Sequence, residues 1–568
     1  MSIKVLCNVR RQNNLPGSFK AIEFVDKFNN KGIHLLPTKL LLSPKPFKEW
    51  FIDRHFELPP DKEWKDIIEL LQQKTDKTGE IVDRTGFHGK SYLLPDGTCI
   101  GPQKEHSLFL DPDHSIHLPQ CGVNGSLEEW QKNVASAALK SSRTMLAISG
   151  AFSGYLLSEG VIADSGGFHF FGTSSMGKTT ALRIAISISG PKDNLYSWNF
   201  TATGAEELAC GHNHNFMAFD ELKTLDGNAK EAAQKATAFI YTNGTGKAKK
   251  RSKSHTPNPK KWETAFLSTG EHSLEEHAQK GGGNRMNGEE VRVIDVPADA
   301  GKGMGIFESL PEEFEVASTE VASTYAKYLA EQSQRYYGAP QIAFLEKFVA
   351  DINDERAEKT VRDRIVEYMD YFRDQHDVKA GSEISGRIAD RFALAYAAGC
   401  LAIEYGVLPF TSEDVFNGIS ACYKAALAIA PEDWEEKLRL QVRKLAKYLR
   451  SKEFPAMDSR DTWSKKAIEK YDGFSHTINN IQLIALKRDV VKHLIPAIYL
   501  NDVLNFCKSK GYLLSDANGN NTRSIALNDK RVRFYCFVSP GDEENKVAVM
   551  KRNQGYAAKK STEKKSSE

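Results

Sequence analysis

The sequence lacks the features of exported and membrane proteins. No stretch approaches the roughly 18 uninterrupted apolar residues of a membrane-spanning helix, and the opening segment (MSIKVLCNVRRQNN) lacks the apolar run of a signal peptide. The eight cysteines are scattered, and none forms the CxxC pair of a zinc or redox site. We therefore expect a cytoplasmic protein with reduced thiols and no contact with a membrane.

The sequence also lacks an excess of charge of either sign. Its 76 lysines and arginines face 74 aspartates and glutamates, which leaves a net charge of +2. Overall charge therefore gives no indication of nucleic-acid binding, and only a local cluster can. The 568 residues are 40% hydrophobic and 10% aromatic, which excludes wholesale disorder and predicts roughly three to four folded domains.

Changes in sequence pattern divide the chain into five segments. Residues 1–125 combine short strands, turns and a helix, as in an α+β domain. Residues 126–305 alternate apolar runs with helical segments, which predicts an α/β core with a mainly parallel sheet. Residues 306–450 are amphipathic and predict a helical lid or bundle, while residues 451–550 end in a helix and a hairpin, typical of a winged-helix domain. Residues 551–568 are basic and polar and predict a disordered tail.

One motif in the α/β segment predicts a nucleotide site. Residues 172–179 (GTSSMGKT) match the phosphate-binding pattern GxxxxGK[ST] and lie between a strand-like run and a helix-like run. In this pattern the glycines let backbone N–H groups surround phosphates, the lysine reaches the outer phosphates, and the last hydroxyl binds Mg²⁺. We therefore expect ATP with Mg²⁺ to bind at Gly172, Thr173, Ser174, Ser175, Met176, Gly177, Lys178, Thr179 and Thr180.

Polar residues at the ends of two later strands complete a predicted hydrolytic site. The apolar run 216–219 is followed by Asp220 and Glu221. We expect Asp220 to hold Mg²⁺ together with Thr179, and Glu221 to polarise an attacking water. The run 264–267 is followed by Ser268 and Thr269, one of which is expected to contact the terminal phosphate or the water. Together with Lys178, this set predicts an ATP hydrolase.

Phosphoryl transfer also requires an arginine to neutralise developing charge, and a neighbouring subunit can supply it. Arg285 and Arg292 are the candidates for this arginine finger. Either could instead be a surface residue of a hairpin. Arg387 and Arg391, on a predicted helix of the lid, are candidates for a second arginine sensor.

A basic segment predicts contact with nucleic acid. Residues 245–262 (TGKAKKRSKSHTPNPKKW) contain seven lysines and arginines and no acidic residue. Lysines in such a hairpin bind the phosphate backbone without reading sequence, and their contribution is salt-dependent. We expect Lys247, Lys249, Lys250 and Arg251 to contact DNA; the alternative is a solvated loop with incidental charge.

Taken together, these motifs resemble one mobile-element family over roughly residues 18–430. The family is known as domain of unknown function nine-two-seven and is carried by phages, plasmids and staphylococcal cassettes. The resemblance is carried by the residues already named and by further short motifs: Gly86-Phe87-His88, Ser126-Leu127-Glu128-Glu129-Trp130, Ser142-Arg143, Trp198, Thr201-Ala202-Thr203, Asn243-Gly244-Thr245-Gly246-Lys247, Ser268-Thr269-Gly270-Glu271 and Gly288-Glu289-Glu290-Val291-Arg292.

The resemblance implies an AAA+-type P-loop ATPase similar to minichromosome-maintenance-like replicative helicases. Such a protein would act as a homo-oligomeric ring, expected to be a hexamer, on single-stranded or forked DNA, with replication proteins of the same element as further partners. Two other functions remain open on the residues alone. One is a P-loop kinase or ATP-dependent switch without translocation, and the other is a DNA-binding module that only assembles with nucleotide.

Overall fold

The protein is described by a computed structural model that covers most of the chain as two compact units. The units are Met1–Ile429 and Ala430–Glu568. The described residues are 3–12, 16–102, 106–111, 117–222, 228–248, 260–282, 285, 287–314, 318–378, 384–429, 434–457, 470–527 and 530–565.

The first unit begins with a mixed five-stranded sheet of order β3-β2-β1-β4-β8 and a small three-stranded sheet, β5-β6-β7. Their strands are β1 Lys4–Arg11, β2 Ser18–Val25, β3 Lys31–Pro37, β4 Thr78–Val82, β5 Gly86–His88, β6 Ser91–Leu93, β7 Cys99–Ile100 and β8 His106–Leu110. Two helices, α1 Pro44–Ile52 and α2 Trp64–Gln72, bury their aromatic and aliphatic side chains against the larger sheet. A capping box of Glu63 and Asp66 starts α2.

A second five-stranded sheet forms the centre of this unit, and all its neighbouring strands run parallel. Its order is β10-β11-β12-β9-β13. The strands are β9 Gly166–Phe171, β10 Leu195–Ser197, β11 Asn215–Asp220, β12 Thr264–Gly270 and β13 Val293–Pro297. Helices cover both faces, so the central strands β9 and β12 are almost entirely buried and carry mostly apolar residues. The predicted α/β class with a parallel sheet is confirmed.

Helices pack on both faces of this sheet. The helices of this part of the chain are α3 Leu127–Asn133, α4 Ser142–Leu156, α5 Lys178–Ile186, α6 Ala202–Gly211, α7 Ala229–Thr245, α8 Leu274–Lys280 and α9 Asn287–Glu290. A capping box of Ser126 and Glu129 starts α3. Every residue of α4 is buried. A Cβ on Gly154 would lie only 2.4 Å from the carbonyl oxygen of Asn215, so this glycine allows α4 to approach β11 closely.

A helical region follows, and its apolar side chains join the same core as α4 and α5. It comprises α10 Thr319–Arg335, α11 Ala339–Ile352, α12 Val361–Asp374, α13 Ile384–Glu404 and α14 Ser412–Ile429. Across the described ranges of the chain, no helix is both long enough and apolar enough to cross a membrane.

The second unit contains a four-stranded antiparallel sheet of order β14-β15-β17-β16, with helices. Its strands are β14 Gly473–Ile478, β15 Ile481–Lys487, β16 Arg523–Leu527 and β17 Lys530–Phe537, and its helices are Trp434–Ser451, Arg488–Leu494, Ala497–Ser509 and Glu543–Lys565. The helix and hairpin predicted near the end are present.

Two boundaries in this region differ from the sequence-based predictions. The sequence predicts a helical segment that extends to residue 450. The first unit instead ends at Ile429, because Leu445 and Leu449 pack into the core of the second unit. The predicted disordered tail is wrong, because a helix continues to Lys565. Asn553 on this helix accepts hydrogen bonds from the backbone N–H and hydroxyl of Ser515, and Val549 is fully buried.

Candidate nucleotide-binding site

The GxxxxGK[ST] segment forms a loop between β9 and α5. Gly177 immediately precedes α5 with φ = +88°, a left-handed conformation that disfavours any side chain. A Cβ at this position would also lie 3.0 Å from Ile306. The first N–H groups of α5 have no partner within the helix, and with the helix dipole they make its start a suitable site for phosphate.

Lys178 folds back over this loop. Its Nζ donates hydrogen bonds to the carbonyl oxygens of Gly172 and Thr173, each at 2.7 Å. Burial lowers the pKa of Lys178, and the carboxylates of Glu271, Asp220 and Glu221 oppose that shift. The ammonium group therefore lies among oxygen atoms at the mouth of the phosphate loop.

Asp220 joins the loop to the next two strands. Thr179 Oγ1 donates to Asp220 Oδ2 at 2.9 Å and lies 3.2 Å from Oδ1. Thr269 Oγ1 also donates to Asp220 Oδ1. Because β11 and β12 are parallel neighbours, their carboxyl ends meet, and this brings the two side chains together. The hydroxyl and carboxylate predicted to share Mg²⁺ are thus adjacent.

Glu221 follows Asp220 in an unusual backbone conformation. Its φ is +52°, in the left-handed region that non-glycine residues rarely adopt. The backbone N–H of Glu221 is directed at Asp220 Oδ1 (3.1 Å) and Thr269 Oγ1 (3.3 Å), which holds this turn. The exposed carboxylate lines the cavity described below.

The structure distinguishes between Ser268 and Thr269. Successive side chains of a strand point to opposite faces of the sheet. Thr269 lies at the cavity, whereas the hydroxyl of Ser268 is buried against His169 Nδ1 at 2.8 Å. His169 Nε2 is within 3.0 Å of the carbonyl oxygen of His272, and burial lowers the pKa of His169. Of these two hydroxyl residues, Thr269 is the one that lines the cavity.

These residues surround a cavity of 420 Å³ at the carboxyl edge of the central sheet, where ligands bind in open α/β folds. Its lining residues are Ser174, Ser175, Met176, Gly177, Lys178, Thr179, Thr180, Asp220, Glu221, Thr269, Gly270, Glu271, Ser323, Ala326 and Lys327.

Three polar residues of this lining are missing from the sequence-based prediction. Glu271 accepts a hydrogen bond from Ser174 Oγ at 3.2 Å. Ser323 and Lys327 lie one turn apart on α10, far along the chain from the phosphate loop. Their i, i+4 spacing places them on one face of the helix, but the sequence does not show which cavity that face meets. For Glu271, the sequence signal that could have placed it at the cavity was its position two residues after Thr269, at the end of a predicted strand.

The donor groups fit a nucleotide with Mg²⁺. A hydroxyl and a carboxylate oxygen are the hard ligands that Mg²⁺ prefers, with phosphate oxygens and waters supplying the remainder. The part of the chain that the structure describes contains no cluster of three or more His, Cys, Asp or Glu residues that could form an all-protein metal site. A P-loop site does not require such a cluster.

Arg285 is enclosed within its own fold. It pairs with Asp295 Oδ2 at 3.0 Å and donates to the carbonyl oxygens of Glu289 and Val293. Its side chain is 4% exposed. An arginine finger has to reach a phosphate on another subunit. This geometry therefore contradicts the prediction that Arg285 is an arginine finger, and it gives Arg285 a structural role instead.

A stability measurement tests that structural role. We expect Arg285→Ala to lower the free energy of unfolding by about 3–5 kcal/mol, because it leaves the buried carboxylate of Asp295 without its charged partner. The thermal unfolding midpoint should fall clearly, whereas Arg356→Ala, at an exposed position, should leave it unchanged. Equal midpoints for the two variants would contradict the buried ion pair.

Arg292 and Arg391 lie at the opposite, amino edge of the sheet. Residue Val293 pairs with Gly167 near the start of β9, and Arg391 donates to the carbonyl oxygen of Ser165 at 2.8 Å. The phosphate loop follows the other end of β9. Neither arginine therefore contacts the nucleotide cavity of its own chain, and the role of Arg391 as a second sensor stays a prediction.

The structure describes only the base of the basic segment. Lys247 and Lys261 form an antiparallel bridge, and Ala248 N–H donates to the carbonyl oxygen of Lys260 at 2.9 Å. This is the stem that a hairpin requires. Lys249, Lys250 and Arg251 lie outside the described residues.

Comparisons with known proteins agree with the motif-based resemblance. Residues 17–260 match the family model described as "Domain of unknown function (DUF927)". A solved structure described as "SCCmec type IV Cch - active helicase" superposes with a TM-score of 0.61, covers 96% of this chain and 94% of its own, and is 16% identical, which indicates a shared fold. No curated protein sequence matches significantly. The resemblance to the mobile-element family of domain of unknown function nine-two-seven is therefore confirmed.

Proposed function

We propose that the protein is an ATP-dependent DNA helicase or translocase of a mobile genetic element. One observation carries the proposal: Lys178, Thr179, Asp220, Glu221 and Thr269, from the phosphate loop and two strand ends, surround a single cavity. The similarity in fold to a protein described as an active helicase supports it.

Each of these residues has a distinct task in the proposed reaction. Lys178 and the N–H groups at the start of α5 bind phosphate oxygens. Thr179 and Asp220 would hold Mg²⁺, which supplies positive charge to the phosphates when it is bound. Glu221 accepts a hydrogen bond from the attacking water and orients it. Thr269 fixes the carboxylate of Asp220 and contacts the terminal phosphate.

The cavity also supports assembly into a ring. None of the described residues that line it is an arginine, although an arginine can stabilise phosphoryl transfer substantially. A neighbouring subunit would supply it at a head-to-tail interface, and such interfaces close into rings. The proposed assembly is a hexamer of AAA+-type subunits, each with an N-terminal α+β domain, a helical lid and a C-terminal winged-helix domain.

The basic hairpin is the proposed DNA contact. Its stem lies between the end of α7 and β12, the strand that carries Thr269. A nucleotide-dependent movement of Thr269 would therefore be transmitted along β12 to the stem of the hairpin. Lys247, Lys249, Lys250 and Arg251 would bind the backbone of single-stranded or forked DNA.

A salt titration tests this contact. Replacing Lys247, Lys249, Lys250 and Arg251 with alanine should reduce the slope of log affinity for single-stranded DNA against log salt by about 3, because about 0.7 counterions are released per phosphate contact. The matched control replaces four exposed lysines of the first domain, Lys45, Lys48, Lys62 and Lys65. An equal loss of slope in both variants would contradict a specific hairpin contact.

Strand separation tests the proposed function itself. We expect the wild type to unwind a forked DNA duplex with ATP and Mg²⁺ but not with a non-hydrolysable analogue. Lys192→Ala, at an exposed position just before β10, should behave as the wild type. ATP turnover that is indifferent to DNA and gives no unwinding would instead indicate a kinase or switch, and nucleotide binding without turnover would indicate an assembly module.

A further inference from the structure

A groove with an apolar floor and a basic rim lies within the second unit. It is lined by residues of the helices Trp434–Ser451 and Ala497–Ser509, of the end of β17, and of the turn that follows this strand. Its volume is 590 Å³, within the range of about 300–1,000 Å³ that is usual for ligand pockets. We call it the second-unit groove.

Apolar side chains form the floor of the second-unit groove. Leu449 and Phe537 are buried there, whereas Ala446 and Phe506 are only half-buried. Burial raises the pKa of the Cys507 thiol to about 12, so this side chain stays protonated and adds apolar surface rather than a reactive thiolate. A benzene-sized group occupies a cavity of about 150 Å³, so the groove has room for a few large apolar side chains.

The backbone fixes the shape of the second-unit groove at Tyr512. The preceding residue, Gly511, has φ = +78°, and a Cβ there would lie only 2.4 Å from the carbonyl oxygen of Lys546. Tyr512 N–H donates to the carbonyl oxygen of Cys507 at 2.7 Å, and Val538 N–H donates to the carbonyl oxygen of Tyr512 at 2.9 Å. The groove is therefore formed before a ligand binds, which lowers the entropic cost of binding.

The rim of the second-unit groove is basic. Arg443, Arg450 and Lys510 line the groove and are exposed. Glu543 is the acidic residue of the described lining, and its carboxylate accepts hydrogen bonds from Lys546 Nζ at 2.8 and 3.2 Å. These five side chains carry four positive charges and one negative charge, so the rim attracts an acidic ligand.

The combination of floor and rim favours a protein ligand over nucleic acid. A DNA backbone would satisfy the rim but would leave the apolar floor unfilled, and base stacking requires open aromatic faces. Lys546 Nζ already covers one face of the Tyr512 ring, 4.8 Å from its centre, and Phe537 is only 1% exposed. A peptide that carries both carboxylates and large apolar side chains would satisfy the floor and the rim together.

We propose that the second-unit groove binds an acidic segment of a partner protein. Large apolar side chains of that segment fill the floor, and its carboxylates pair with Arg443, Arg450 and Lys510. A guanidinium group binds a carboxylate through two parallel hydrogen bonds, so the two arginines fix the register of the segment. This interaction is separate from the proposed ATP hydrolysis and does not depend on it.

Selection from a random peptide library displayed on phage tests the class of partner. The full-length protein is the target, and ATP is left out. We expect the enriched peptides to combine aspartate or glutamate with phenylalanine, tryptophan, leucine or isoleucine and to have a net negative charge. Enrichment of basic or uncharged peptides, or no enrichment at all, would contradict the proposal.

Variants of the rim and the floor test where such a peptide binds. The probe is the most enriched acidic peptide, labelled with fluorescein, and its affinity is measured by fluorescence anisotropy. Arg450→Glu should weaken binding at least about 10-fold, because it replaces a charge-assisted hydrogen bond with repulsion. Ala446→Trp should abolish binding by filling the groove. The control is Lys447→Glu, at an exposed position of the same helix outside the lining, and equal affinities for Arg450→Glu and Lys447→Glu would contradict the proposal.

Two other occupants of the groove would give different results. Single-stranded DNA whose binding is weakened by Arg450→Glu but not by Ala446→Trp, and which the peptide does not displace, would assign the rim to nucleic acid. A smaller assembly of a folded Ala446→Trp protein in sedimentation analysis would show that a second copy of this chain covers the groove. Either result overturns the inference. Both variants should keep wild-type ATP turnover without peptide, so loss of peptide binding is distinguishable from failure of the proposed function.

Discussion

Lys178→Ala is expected to weaken ATP binding by about 10-fold to 100-fold and to reduce ATP hydrolysis by at least about 100-fold. A charge-assisted hydrogen bond contributes about 1.5–3 kcal/mol to binding. Loss of a group that stabilises charge developing in the transition state costs a further factor of about 10²–10³ in rate. Both effects arise from one ammonium group at the mouth of the loop.

The prediction is checked by equilibrium titration with a fluorescent ATP analogue and by steady-state phosphate release. Among the described residues, Lys178 donates hydrogen bonds only to the loop's own carbonyl oxygens, so its replacement should leave the thermal midpoint nearly unchanged. Lys192→Ala controls for the loss of one lysine. A variant that binds and hydrolyses ATP within twofold of the wild type would contradict the assignment of the phosphate loop.

Glu221→Gln is expected to reduce turnover by about 10²–10⁴-fold while leaving ATP affinity within about twofold. The substitution removes the group that orients and deprotonates water, a contribution of that size in general base catalysis. It keeps the length of the side chain, and it leaves intact the backbone N–H that holds the turn against Asp220 and Thr269. Binding and chemistry should therefore separate in this variant.

Glu271→Gln provides a matched comparison in the same cavity. Glu271 accepts a hydrogen bond from Ser174, and weakening one such bond by about 1 kcal/mol corresponds to only about fivefold. Turnover should therefore distinguish the two glutamates by one or more orders of magnitude. Equal losses in the two variants would mean that Glu221 contributes only charge to the cavity, and the assigned role would be wrong.

The contiguous part of the site was predictable from the sequence because its geometry is local. The phosphate loop requires only a strand, a glycine-rich turn and a helix, all within one short segment. Asp220 and Thr269 were predictable because carboxyl ends of parallel strands meet at one edge. The α/β class followed from the same alternation of apolar runs and helices.

The remaining parts depend on contacts between distant segments. Ser323 and Lys327 reach the cavity from α10, and nothing in their own segment identifies that neighbour. The arginines could not be assigned because charge alone does not show whether a guanidinium pairs with Asp295, as Arg285 does, or with Asp164. The terminal helix was missed because its burial depends on Asn553 and Val549 meeting another element.

Steady-state ATP hydrolysis by the wild type and by Glu221→Gln, each with and without single-stranded DNA at two salt concentrations, tests the central claim most directly. We expect DNA to stimulate the wild type strongly, high salt to weaken that stimulation because phosphate contacts release counterions, and Glu221→Gln to show none. Wild-type turnover that is equal with and without DNA at both salt concentrations would contradict a DNA motor.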